Sequence, residues 1–158
     1  MTDVHVMDRW RHEDPCAGVD DLARGMAPGL MLNLLARDLE RAIAFQCDIL
    51  GAEAIYRDGA FAIMGFGGTR WMLHADATYG THPMLTGLGP STARGAGCEL
   101  RLHGCDPDAA VARAERPGSD AVVIAEARDR PHGLREAFLQ GPDGYVWVPS
   151  VLRADVAG

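Results

Sequence analysis

Gly65-Phe66-Gly67-Gly68-Thr69-Arg70-Trp71-Met72 returns in altered form as Gly141-Pro142-Asp143-Gly144-Tyr145-Val146-Trp147-Val148. In both stretches two glycines stand three apart, and a Trp followed by an apolar residue comes three positions after the second. A tight turn entering a strand gives this spacing, because glycine tolerates the positive φ of such turns and the aromatic ring packs on a pleated surface. Further upstream, Leu35-Ala-Arg-Asp38-Leu-Glu-Arg-Ala-Ile-Ala-Phe45 is loosely matched by Leu102-His-Gly-Cys-Asp106-Pro-Asp-Ala-Ala-Val-Ala-Arg-Ala114. Each of these reads as a strand, an Asp that caps, and a helix.

The chain therefore carries one unit twice. Working outward from the two turns, the first unit reads as a strand beginning near Leu30, a helix capped by Asp38 and closed by Gly51, then strands at 53–57, 60–66 and 69–75. The second unit repeats this order with a strand at 98–104, a helix from Pro107 and strands near 121–125, 134–140 and 145–151. Neither unit, at roughly 55 residues, could bury much core alone. A single domain over 28–153 is expected, with module 1 at about 29–76, a Gly/Thr/Pro/Ser-rich linker at about 77–96 and module 2 at about 97–152. Residues 1–27 show neither apolar periodicity nor a copy of the repeat, and read as an N-terminal extension.

Composition narrows function by exclusion. A net charge of −7 argues against nucleic acid or an anionic membrane surface as partner, since both select a concentrated basic face. All fifteen basic residues are Arg, which removes lysine Schiff-base chemistry. The four cysteines contain no Cys-x-x-Cys pair and no secretory signal is read, so reduced thiols and a cytoplasmic location are expected. The longest apolar run, around Gly25 to Ala36, is too short to span a bilayer.

Two tandem β-α-β-β-β units, with Asp38-Leu-Glu-Arg-Ala-Ile-Ala-Phe45 after the first strand and Pro131-His-Gly-Leu-Arg-Glu-Ala-Phe-Leu-Gln-Gly-Pro-Asp-Gly-Tyr-Val-Trp147 before the end, resemble the vicinal oxygen chelate superfamily. That superfamily holds glyoxalases, extradiol dioxygenases, fosfomycin-resistance enzymes and bleomycin-resistance proteins. The resemblance covers roughly residues 29–152, with one departure: Gly141 stands where the family's motif usually has Asp. It implies an α+β fold in which the two modules form a half-open, eight-stranded barrel around a small-molecule cavity, commonly in a homodimer.

In metal-dependent members a divalent ion sits in that cavity, and the resemblance places the four ligand positions at Met31, Met72, Glu99 and Val148. A thioether or a methyl group cannot replace the carboxylate or imidazole that such an ion needs. The expectation is thus a small-molecule-binding protein of unassigned substrate that lacks the usual metal and needs no cofactor.

Several polar residues could still carry chemistry. Glu99, Arg101 and His103 alternate with Leu100 and Leu102, which puts the three on one strand face. Glu99 and His103 are candidate acid–base groups and Arg101 a candidate ligand contact, although a solvent-facing polar strand would show the same alternation. Asn33, Arg37, His74 and His132 are further candidate ligand contacts. The alternative reading is an enzyme, a lyase, isomerase or dioxygenase, using Glu99 and His103 as acid and base or joining them with His74 in an unconventional divalent-metal site. Whether the chain catalyses a reaction is left open by the sequence. No Gly-x-Ser-x-Gly elbow and no phosphate-binding glycine loop is present.

Overall fold

The structure is a computed structural model that describes Arg24 and residues 28–156; the expected extension at 1–27 otherwise lies outside the described residues. Strand β1 (Asn33–Ala36) leads through the Asp38 cap, whose carboxylate accepts the Arg41 N–H at 3.0 Å, into helix α1 (Leu39–Asp48). Three strands follow, β2 (Glu53–Arg57), β3 (Phe61–Phe66) and β4 (Thr69–Ala75). The linker holds a 3₁₀ turn at Asp76–Thr78 and a one-turn helix α2 (Pro83–Thr86). Then come β5 (Glu99–His103), α3 (Pro107–Ala114), β6 (Val122–Asp129), β7 (Leu134–Gln140) and β8 (Val146–Leu152). Strand β6 runs four residues past the sequence expectation, through two register shifts that let a bulged strand stay paired with β7.

Each module makes its own four-stranded sheet, ordered β1-β4-β3-β2 and β5-β8-β7-β6, with β1/β4 and β5/β8 parallel and the remaining pairs antiparallel. The fold is α+β with two mixed sheets that do not close into a barrel, a half-open arrangement. The register shows the duplication directly: Asn33 stands opposite Met72 as Arg101 stands opposite Val148.

One face of each sheet turns toward its helix, and the two helical faces share a single core. Leu34, Ala36, Met64, Trp71 and Leu73 of the first sheet join Leu100, Leu102, Leu139 and Trp147 of the second, together with Ile43 and Phe45 of α1. Trp71 and Trp147 lie at its centre, 4% and 3% exposed, with ring centroids 5.6 Å apart. Trp71 Nε1 donates to Gln46 Oε1 at 2.8 Å, so the indole N–H is buried with its partner. Removing two Trp side chains from water contributes several kcal/mol at roughly 25 cal/mol per Å².

Polar contacts fix how the modules meet. Tyr145 OH donates to Leu35 O at 3.2 Å, Arg113 Nε to Ile49 O at 2.9 Å and the Arg37 N–H to Asp143 Oδ1 at 2.9 Å. The departure at Gly141 has its reason here. A Cβ at that position would lie 3.1 Å from the Phe45 ring, so α1 packs where an Asp side chain would begin.

Candidate ligand cleft and polar face

Because no ladder joins the two sheets, the outer edge of β5 and the chain entering β1 diverge and leave a cleft of about 430 Å³. A volume of that order suits a small organic ligand. Leu30 and Leu32 form one wall, Leu100 and Leu102 the other, and the β3–β4 turn with Phe66 closes one end. Leu30 is 91% exposed and Leu32 41%, an apolar pair left facing water. Trp71 and Trp147 border the cleft, and Thr69, Arg70, Arg101 and His103 supply its polar side chains.

The alternation read in β5 is present: Leu100 and Leu102 are buried while Glu99, Arg101 and His103 are exposed on the opposite face. What the sequence reading missed is the residue that organises this face. Glu136 on β7, only 3% exposed, stands opposite Ser150 on β8, which in turn stands opposite His103. Its carboxylate accepts from Arg101 Nη2, lies 3.3 Å from Arg130 Nε and lies 3.4 Å from His132 Nε2. Arg101 Nη1 is bound by Glu99 Oε2 at 2.8 Å, so two carboxylates hold one guanidinium. Arg130 also lies over the Phe138 ring, 5.5 Å from its centroid. The available signal was period two within β7: Leu134, Glu136, Phe138 and Gln140 share a face, so a carboxylate is carried inward there.

His103 Nδ1 pairs with the fully buried Ser150 hydroxyl at 2.8 Å. The hydroxyl can donate to or accept from that nitrogen, and in either case Nε2 is left for a ligand.

His74 and Asn33 are brought together on the sheet of module 1. His74 Nδ1 lies 2.7 Å from Asn33 Oδ1, and Asn33 Nδ2 donates to Tyr79 OH, so the linker folds back over this sheet. An acceptor oxygen on Nδ1 places the proton there and the lone pair on Nε2. The imidazole stacks on Phe61 at 5.2 Å and meets the Tyr79 ring edge-on at 5.7 Å. Burial pushes the His74 pKa down, opposed by the charge of Asp58.

Arg37 is committed to holding the modules and linker together. Its guanidinium bonds Thr92 O and approaches Asp143, beside Arg94, whose side chain is 3% exposed and grips Asp76 through two bonds of 2.6 Å. Asp143 is buried in this network, and desolvation pushes its pKa up. His132 sits in the β6–β7 turn, 54% exposed, with Glu136 as its neighbour.

The four positions where relatives would ligate a divalent ion do not fit one. Met72 stands opposite Asn33 and Val148 opposite Arg101, Met31 precedes β1, and Glu99 is engaged by Arg101. Nor are His74, Glu99 and His103 gathered: among the described residues no group of three or more His, Cys, Asp or Glu could share an ion. The described cysteines, Cys47, Cys98 and Cys105, are unpaired, and burial raises the Cys105 thiol pKa to about 11. Among the described residues no helix is long and apolar enough to cross a membrane.

Paired β-α-β-β-β modules with a shared helical core and a cleft between diverging sheet edges define a two-module α+β protein. A model of the Glyoxalase/Bleomycin resistance protein/Dioxygenase superfamily matches residues 30–148, and the chain belongs to that superfamily. Among solved structures, it is similar to a glyoxalase/bleomycin resistance protein/dioxygenase family enzyme from Burkholderia phytofirmans PsJN (19% identity, TM-score 0.62, 78% of this chain and 97% of that one). It is also similar to a glyoxalase/bleomycin resistance protein/dioxygenase from Nocardioides (20%, 0.58, 90% and 97%) and to hypothetical protein SA1046 from S. aureus (18%, 0.60, 82% and 98%). At such identities the likeness concerns the fold. No curated protein matches the sequence.

Proposed function

We propose that this protein binds a small, largely apolar molecule in the cleft between β5 and the chain entering β1, without the divalent ion used by metal-dependent relatives. The observation that carries this reading is the cleft itself: about 430 Å³, apolar on two walls, with Thr69, Arg70, Arg101 and His103 as its polar side chains. Such a balance, mostly apolar with a few placed polar groups, is what small-molecule sites show. The enzyme reading draws on one observation. Ser150 pairs with His103 Nδ1 and so leaves Nε2 available, the arrangement a general acid or base needs, whereas Glu99 is tied up by Arg101. A homodimer and a cytoplasmic location complete the proposal.

The test is titration with N-phenyl-1-naphthylamine, a neutral apolar dye, read by dye fluorescence beside sedimentation of the same samples. Saturable binding by the wild type, lost in a Leu32→Trp variant that fills the cleft, is expected. Equal binding by both proteins would place the dye elsewhere and end the proposal. So would a wild-type dimer that binds no dye and that Leu32→Trp converts to monomer, because the cleft would then be covered by a second copy.

A further inference from the structure

The cleft holds two guanidinium groups that differ in what they have left to give. Arg101 is bound by Glu99 and by Glu136, and Glu136 is shared with Arg130, so two carboxylates and two guanidiniums form a set of zero net charge. His132 adds charge to that set only when protonated. Arg70, on β4 beside Gly68, also lines the cleft, is exposed and has neither ion pair nor side-chain hydrogen bond among the described residues. Its place in the second copy of the repeat is taken by Val146. The uncompensated cation at the cleft is therefore Arg70, and it lines the same cleft as the exposed Leu30 and Leu32.

We infer that Arg70 recognises the charged group of the ligand and that the ligand is an amphipathic monoanion, an apolar or aromatic body bearing one carboxylate, sulfonate or comparable group. A single planar donor fork suits one such group, and the Leu walls suit the body. A dianion would find one free cation for two charges, on a protein of net charge −7. A neutral ligand would leave Arg70 unused. Arg101, already held twice, presents only its remaining N–H groups and acts as a hydrogen-bond donor toward the ligand without a net charge to offer.

This inference rests on the proposed cleft, and a matched pair of competitors separates the two. 2-Naphthoate and its neutral methyl ketone are used to displace the dye at pH 8, where imidazoles are ordinarily neutral. Naphthoate is expected to compete better than the ketone, and to lose affinity as salt is raised from 20 to 300 mM. Arg70→Gln should weaken naphthoate about five- to tenfold, the range of an exposed to partly desolvated charge pair, while moving the ketone by no more than about twofold. A ketone that competes as well as naphthoate, or naphthoate affinity untouched by Arg70→Gln, would overturn the assignment while leaving the cleft proposal standing. Failure of both compounds to displace a dye whose binding Leu32→Trp abolishes would also overturn the assignment and leave the cleft standing, whereas dye binding untouched by Leu32→Trp would remove both. Arg70 is exposed and outside the core, so the variant folds, and its circular dichroism and urea midpoint serve as the check.

Discussion

Glu136 offers the sharpest quantitative test, because the same guanidinium is held by a buried carboxylate on one side and an exposed one on the other. Removing a partner from a fully buried ion pair costs about 3–5 kcal/mol, since a charge is left without compensation. Here the side chains left behind, Arg101 and Arg130, are 32% and 29% exposed and can swing part of their charge to water. The cost of Glu136→Ala is accordingly discounted to about 2–3 kcal/mol, a lowering of Tm by roughly 5–10 °C in a domain of this size. Glu99 bonds the same Arg101 from a position 49% exposed, and Glu99→Gln should cost under about 1 kcal/mol. Urea unfolding followed by tryptophan fluorescence measures both. Combining Glu136→Leu with Arg101→Met and Arg130→Met should recover most of the loss, because a well-packed apolar replacement removes the desolvation cost of all three at once and leaves only the exposed Glu99 and His132. A Glu136→Ala protein within about 0.5 kcal/mol of wild type would refute the claim that this carboxylate holds the face together.

Two further outcomes follow from local geometry. Gly68 and Gly144 occupy the same place in the repeated turn with φ of +82° and +97°, yet a Cβ at Gly68 meets nothing within 4 Å while one at Gly144 lies 3.0 Å from Arg94 N and 3.1 Å from Ala93 Cα. Gly68→Ala should cost about 1–2 kcal/mol and Gly144→Ala clearly more, near 3 kcal/mol or above; equal midpoint shifts in urea would contradict the packing of the linker on the second turn. For His74, burial holds the folded-state pKa below 6.5, so as pH falls through 6.5 the unfolded chain takes up a proton before the folded one and stability drops. His74→Gln should flatten the loss of stability between pH 7.5 and 5.5, and an unchanged slope would mean that the imidazole titrates alike in both states.

The elements were legible because local signals and the duplication agreed. The Gly-x-x-Gly turns, the Asp38 and Asp106 caps and the strand alternation all concern neighbours in sequence, and the strands at 53–57, 69–75 and 134–140 fall where that reading puts them. The linker was not legible. Its order comes from the Asn33–Tyr79 bond and from Arg94 reaching Asp76 and Asp143, contacts that no local pattern announces. The site was half visible for the same reason. Alternation puts Glu99, Arg101 and His103 on one face, but it does not reveal that Glu136 and Ser150, each on another strand, occupy Arg101 and His103.

Register decides what that face can do, and it adds to the repeat's ruler of positions the pairing between strands. The counts that selected Met31 and Met72, and in parallel Glu99 and Val148, preserve the duplication but choose residues two apart along neighbouring strands. Across each parallel pair the residues side by side are Asn33 with Met72 and Arg101 with Val148, a hydrogen-bonding or cationic group against an apolar one in both modules. Neither pair supplies two anionic or imidazole donors, so the duplicated architecture has kept its geometry while its polar groups are spent on one another. On the reading proposed above, the charge left for a ligand is that of Arg70, which is matched by Val146 in the second copy and lines the cleft.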